Sequence, residues 1–198
     1  MRSLIDIETI SALLKEKLSC ERFQHSVGVM NTGSVLARIH GVSEYDARIA
    51  GLVHDCAKNL NSNQMLNLAL KFDILLNGVL KHSTHLLHSF VGAELAKEEF
   101  DIHDLDILNA IRFHTTGREN MSDLEKIIFV ADLIEPSRNF PGVEKLRNLA
   151  LSNLDKATLM ALDHTIGYVI SKGEPLHELT VLARNYLIFQ TKVSGVNK

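Results

Sequence analysis

Six ionisable side chains stand among apolar neighbours and so raise a chemical question. His54 and Asp55 sit together in GLVHDCAK, Asp132 lies inside EKIIFVADLIEP, and His25 falls between Phe23, Val27 and Met30 in CERFQHSVGVMNTG. His88 opens LLHSFVGAELA and His114 closes NAIRFHTTG. Burying such a group without a partner costs a few kcal/mol or more, and an isolated buried carboxylate either takes up a proton or needs a cation. A metal ion would satisfy all of them at once. Imidazole and carboxylate donors without a thiolate suit iron, manganese or zinc at a centre that keeps positions open for water. Taken singly, each histidine is better explained as a hydrogen-bonded core residue, by roughly three to one. Taken together, an adjacent His-Asp pair in one apolar helix and an aspartate in another are hard to produce by packing alone.

These residues need rigid elements to hold them. Apolar positions recur at three- and four-residue spacing almost throughout, and no run alternates as a half-buried strand would, so the chain reads as all-α. The pattern predicts helices over about 6–18, 20–40, 44–58, 62–71, 85–100, 104–114, 122–135, 142–151, 154–171 and 178–191. Their starts carry N-cap signals, Ser43 with Asp46, Ser122 with Glu125, and Asn153, while Gly41, Gly117 and Gly173 mark ends or turns. The segment 72–84 breaks the period and reads as a loop or short helix. In the helix 44–58, Ile49, Ala50, Leu52, Val53, Cys56 and Ala57 leave no solvent face, which describes a central helix. His54 and Asp55 diverge by about 100° on it, so they cannot pair with each other but can reach different sides of a third object. Gly28 and Gly33 weaken the helix around His25, which implies a close approach by another backbone or a ligand.

With 198 residues the chain fits one domain, a bundle of about eight to ten helices, with its motifs in residues 18–136 and its C-terminal helices in 142–192. Hydrophobic residues at 45% and charged residues at 23% are those of an ordinary globular protein. No apolar run is long enough to span a bilayer, and MRSLIDIETI does not read as a secretory signal, so a cytoplasmic location is expected. Cys20 and Cys56 form no CxxC pair. A formal charge of -3 argues against broad binding to nucleic acid. Of the ten histidines, His40 and His103 read as helix-end or exposed residues, His82 and His85 as loop or capping residues, and His164 and His177 as surface or structural ones. The apolar stretch VLARNYLIF serves either the core or a homodimer contact.

The order His25, His54-Asp55, Asp132 resembles the signature of the HD superfamily of metal-dependent phosphohydrolases. GLVHDCAK, LLHSFVGAELAKEEF, NAIRFHTTGREN, MSDLEKIIFVADLIEPSRNFPGVEKLR and ARNYL are more narrowly similar to the YqeK family, over about residues 18–190. Ser89-Phe90 departs from it, standing where that family commonly has Gly-Pro. The resemblance implies an all-α HD fold, one or two bound iron ions, and symmetrical hydrolysis of diadenosine tetraphosphate to two ADP. It implies His25, His54, Asp55 and Asp132 as metal ligands, and His88 and His114 as residues that hold a second metal or contact phosphate.

The expected chemistry is attack on a central phosphorus by metal hydroxide, because a metal acidifies water and withdraws charge from phosphoryl oxygens. Asp55, with two oxygens, is the natural bridge between two ions. His88 or His114 would position phosphate or move a proton. Lys58, Arg118 and Arg138 would neutralise the remaining phosphates, and Gly117 beside Arg118 would offer amides to phosphate. Two other readings compete: an HD-type nucleotidase or phosphatase acting on another nucleotide, and a non-catalytic nucleotide- or ribosome-binding HD module.

Overall fold

The structure, a computed structural model, describes residues 6–196, so residues 1–5 and 197–198 of the expected single domain lie outside it. Among the described residues there are helices and no strands. In chain order they are α1 (Ile7–Lys17), α2 (Cys20–His40), α3 (Glu44–Val53), α4 (Ser62–Lys71), α5 (Gly78–His82), α6 (Leu87–Phe100), α7 (Leu105–Phe113), α8 (Asp123–Ile134), α9 (Val143–Ala150), α10 (Leu154–Ser171) and α11 (Glu178–Val196). A 3-10 turn, Thr84–Leu86, precedes α6. The expected eight to ten helices become eleven because the irregular segment 72–84 contains α5.

Local chemistry starts and stops most of these helices. Ser122 accepts from the Glu125 amide while the Glu125 side chain returns to the Ser122 amide, a capping box that opens α8. Asn61 and Gln64 do the same for α4. Ser43 caps α3 and Asn153 caps α10, and Gly41 ends α2 with a left-handed φ of 71°.

Helices α2, α3, α7 and α8 pack on one another and form the centre. Helix α8 is buried on every side through Leu124, Ile127, Ile128, Phe129, Val130, Ala131 and Ile134, as a helix between two layers must be. Helices α9 and α10 cover its outer side, and α11 packs on α10, burying Ala183 and Leu187. The stretch VLARNYLIF therefore serves the core with one face. Its other face leaves Leu182 and Phe189 exposed.

In this centre the backbones of α2 and α3 approach each other closely. A Cβ built on Gly51 would lie 2.8 Å from the Met30 Cα and 2.9 Å from its amide nitrogen. Backbone cannot swing aside as a flexible side chain can. Gly51→Ala should therefore cost about 3 kcal/mol and lower Tm by roughly 6–12 °C; a thermal melt within 2 °C of wild type would contradict this spacing.

One expected boundary is wrong. Helix α3 does not run to residue 58 but stops at Val53, and the chain continues in tight turns, with the Cys56, Lys58 and Leu60 amides each bonded to the carbonyl three residues back. The His54 ring sits 2.7 Å from the Gly51 carbonyl, the acceptor that a continuing helix would have used. His54 and Asp55 thus lie at a helix end rather than mid-helix.

Candidate metal centre

The six singled-out residues are delivered from five places on the central frame. His25 comes from the second turn of α2, His54 and Asp55 from the end of α3, His88 from the first turn of α6, His114 from the end of α7 and Asp132 from the last turn of α8. All six converge. His54 Nε2 lies 3.6 Å and His25 Nε2 4.0 Å from Asp55 Oδ2, while His88 Nε2 and His114 Nε2 lie 3.1 and 3.5 Å from Asp55 Oδ1. His25 Nε2 is 3.1 Å from Asp132 Oδ1. Five of the six are almost fully buried, and only the Asp132 side chain, 19% exposed, reaches the surface.

The imidazoles are oriented by a repeated device. His54 Nδ1 donates to the Gly51 carbonyl, His88 Nδ1 to the His85 carbonyl and His114 Nδ1 to the Ile111 carbonyl, in each case three residues back. A carbonyl can only accept, so each Nδ1 carries the proton and each Nε2 presents a lone pair to the centre. The tautomers follow from this network.

That arrangement turns lone pairs toward one another. His88 Nε2 and His114 Nε2 are 3.1 Å apart, Lys58 Nζ reaches His88 Nε2 at 3.0 Å, and His54 Nε2 is buried with no hydrogen-bond partner. Such an array calls for an electrophile between the rings, and a divalent cation is the group that fits it. Donor atoms within 4.8 Å of one another form three overlapping sets: His25, His54 and Asp55; His54, His114 and Asp132; and Asp55, His88 and His114. Asp55 places one oxygen toward His25 and His54 and the other toward His88 and His114.

His25 is held differently. Its Nδ1 donates to Glu135 Oε1 at 3.1 Å, so a buried carboxylate takes the place of the carbonyl. Glu135 is itself fixed by the Ser137 amide at 2.8 Å and by the Ser137 hydroxyl. Gly28 stands one turn on in α2 because a Cβ there would meet Glu135 Oε2 at 2.7 Å. The glycine was expected to admit another backbone or a ligand; the group it admits is this side-chain carboxylate.

Outer-sphere partners of this kind typically change metal affinity 10- to 100-fold. Glu135→Ala should therefore weaken metal binding by at least tenfold in a chelator competition, while Glu135→Gln, which keeps the acceptor oxygen, recovers most of it. Equal affinity in all three proteins would show that Glu135 does not orient His25.

Cations surround the cluster. Arg22 donates to Asp55 Oδ2 at 2.8 Å, Arg138 to Asp132 Oδ1 at 2.5 Å, and Lys58 Nζ lies 3.0 Å from His88 Nε2. Burial pushes the Asp55 carboxyl toward protonation, but the neighbouring His54, His114 and His88 rings outweigh it and hold the group well below the usual carboxylate range. Asp132 is likewise held low, burial being outweighed by His25, His54 and Arg138. Burial pushes Lys58 down, and it pushes His54 and His88 down to about 4, so both rings are neutral ligands at pH 7. His25 runs the other way, because Asp132 and Glu135 outweigh its burial.

Arg118 is placed elsewhere than expected. Its guanidinium grips both oxygens of Glu125 and lies over the Phe113 ring, so it braces the start of α8. The Gly117 amide is spent on the Phe113 carbonyl and offers nothing to phosphate. Arg22 and Glu135 went unread in the sequence. Arg22 lies one helical turn before His25, and Glu135 stands before Pro136 at the end of an apolar helix, two positions that resemble ordinary solvated charges.

Central helices that each deliver an imidazole or carboxylate to one buried cluster define the HD-domain class, and the family model described as HD domain matches residues 22–137. Within that class the chain belongs to the family of the symmetrical bis(5'-nucleosyl)-tetraphosphatases. A protein of that name from Halalkalibacterium halodurans is 43% identical over 180 residues, covering 91% of this chain and 96% of the relative. Its Bacillus subtilis namesake is 39% identical over 181 residues, covering 91% and 97%. Among solved structures, a protein from Clostridium acetobutylicum described as a predicted HD superfamily hydrolase involved in NAD metabolism matches with a TM-score of 0.90 at 48% identity over 93% of this chain and 98% of that one.

Proposed function

We propose that this chain hydrolyses diadenosine tetraphosphate at its central anhydride, giving two ADP, with iron held by His25, His54, Asp55 and Asp132. The observation that carries the reading is the convergence of Nε2 atoms on the two oxygens of Asp55, with that of His54 buried and unpartnered. His88 and His114, with the Oδ1 side of Asp55, supply a second donor set, so the site has ligands for one ion or two. When bound, a divalent cation supplies Lewis acidity, acidifying water and polarising phosphoryl oxygens.

The chain's own residues do the rest. Water adds to a central phosphorus, the anhydride bond breaks, and each half leaves as ADP. Arg22, His25, Ser137 and Arg138 line a cavity of about 350 Å³ on one side of the cluster, and Lys58 and His88 line one of about 300 Å³ on the other. Cations on both sides match a substrate with two phosphates on each side of the scissile bond, and the fork of Arg138 suits bidentate contact. Arg118, occupied by Glu125, is left out of the substrate site. A nucleotide substrate and two free thiols, Cys20 and Cys56, fit a cytoplasmic setting.

Product analysis tests the activity: diadenosine tetraphosphate should yield ADP alone, and AMP with ATP would overturn symmetrical cleavage. Faster turnover of a mononucleotide in the same panel would favour a nucleotidase. Metal analysis of the protein as purified should find iron, and manganese or zinc in its place would overturn that assignment.

A further inference from the structure

Asp132, Glu135, Ser137 and Arg138 all act on the metal cluster from the end of α8 and the turn that follows it. The shape of that turn therefore bears on the cluster. Pro136 forces the chain out of the helix, because a residue before proline is driven from the helical region, and Glu135 accordingly leaves with φ −54° and ψ 156°. Proline also has no amide to donate. The Arg138 amide, the one that a continuing helix would give to Ile134, goes instead to the Glu135 carbonyl at 2.9 Å. Ile134 and Glu135 are both buried, so carbonyls at this helix end need partners from elsewhere in the protein.

Arg147, in the last turn of α9, supplies them. Its Nε donates to the Ile134 carbonyl at 2.9 Å, and its Nη2 donates to the Glu135 carbonyl at 3.0 Å and to the Arg138 carbonyl at 2.9 Å. Its Nη1 pairs with Glu144, whose side chain is 76% exposed. Three carbonyls, from both limbs of the turn, thus meet one plane. A guanidinium fixes its donors in a rigid fork, so it holds those carbonyls in one arrangement, as a single ammonium on a flexible stem cannot.

Resting on the proposed metal-dependent hydrolysis, we propose that Arg147 is a positioning residue for the metal centre, clamping the turn so that Glu135 meets His25 and Arg138 meets Asp132. It acts through both. Glu135 orients the His25 ring, so the clamp sets metal affinity; Arg138 lines the cavity beside the cluster, so the clamp also sets how substrate phosphate is received. A residue that served stability alone would lower Tm and leave both properties unchanged.

The test is competition between the full chain and a chelator for iron(II), with KM and kcat for diadenosine tetraphosphate measured in parallel at saturating metal. Arg147→Ala should weaken iron binding about tenfold, the scale of an outer-sphere contact, and raise KM about tenfold with a smaller fall in kcat. Arg147→Lys keeps the charge without the fork and should lose about fivefold in each. The double variant Arg147→Ala/Glu135→Ala should bind iron no more weakly than Glu135→Ala alone, because both changes act through one contact. Glu144→Ala, which leaves the three carbonyl contacts in place, should match wild type.

Iron binding or KM within about twofold of wild type in folded Arg147→Ala would overturn the proposal, as would the same result in Arg147→Lys if the alanine variant fails to fold. Additive losses in the double variant, or a loss in Glu144→Ala equal to that in Arg147→Ala, would do so too. A wild type that does not hydrolyse diadenosine tetraphosphate, but whose iron binding weakens in Arg147→Ala, would defeat the proposed function and leave the clamp standing.

Discussion

Asp55→Ala is expected to remove bound metal and to lower kcat by on the order of a thousandfold or more, the equivalent of about 4 kcal/mol of barrier. Asp55 faces both donor sets through separate oxygens: Oδ2 is directed to His25 and His54, Oδ1 to His88 and His114. Its loss leaves Asp132 as the one carboxylate of the cluster, on the His25 side, and a divalent cation then has too little charge around it to be held. Arg22, a third exposed, can turn to solvent when its carboxylate goes, so the fold should survive. Circular dichroism should therefore match wild type while metal content falls. Asp55→Asn separates shape from charge: the amide fills the same space but is neutral, and it should lose metal nearly as completely. Near-normal turnover in either variant would refute the proposed centre.

Much of this site was legible because its signals are local. Ser43, Ser122 and Asn153 cap helices through contacts three residues away, so the starts of α3, α8 and α10 could be read from the chain alone. The polar-in-apolar anomaly of His54, Asp55 and Asp132 was equally visible. The end of α3 was not, because neither glycine nor proline marks it; a side-chain hydrogen bond from His54 to Gly51 does. Glu135 and Arg22 were hidden for a related reason. Whether a charged residue near a helix end is solvated or buried depends on what packs over it, here α2 against the end of α8. Gly28 announced a close approach without naming the group that makes it. Arg118 misled in the opposite sense, since its motif suggested phosphate and its partner is Glu125.

The metal-free protein should lose stability on mild acidification, and the metal-loaded protein should resist it. Burial pushes His54 and His88 from 6.5 down to about 4. Unfolded, these rings take up protons near pH 6.5; folded, only near pH 4. Between those limits the unfolded chain binds more protons, so their stabilising contribution, complete above pH 6.5, drains away as pH falls through the window. Each ring accounts for up to about 3 kcal/mol. His25 opposes them, because its raised pKa makes protonation favour the folded state below its folded value. Asp55 and Asp132 are held so low that their contribution persists to more acidic pH and does not fall in this window. The balance is a loss of a few kcal/mol, or roughly 10 °C in Tm between pH 7 and pH 4.5. A cation bound at the Nε2 atoms competes with protons for the same lone pairs, so loading should move the fall to lower pH and couple it to metal release. Thermal melts of chelator-treated and iron-loaded protein across that range decide the matter: a flat Tm in the metal-free protein would mean that His54 and His88 are not the buried neutral rings the geometry requires.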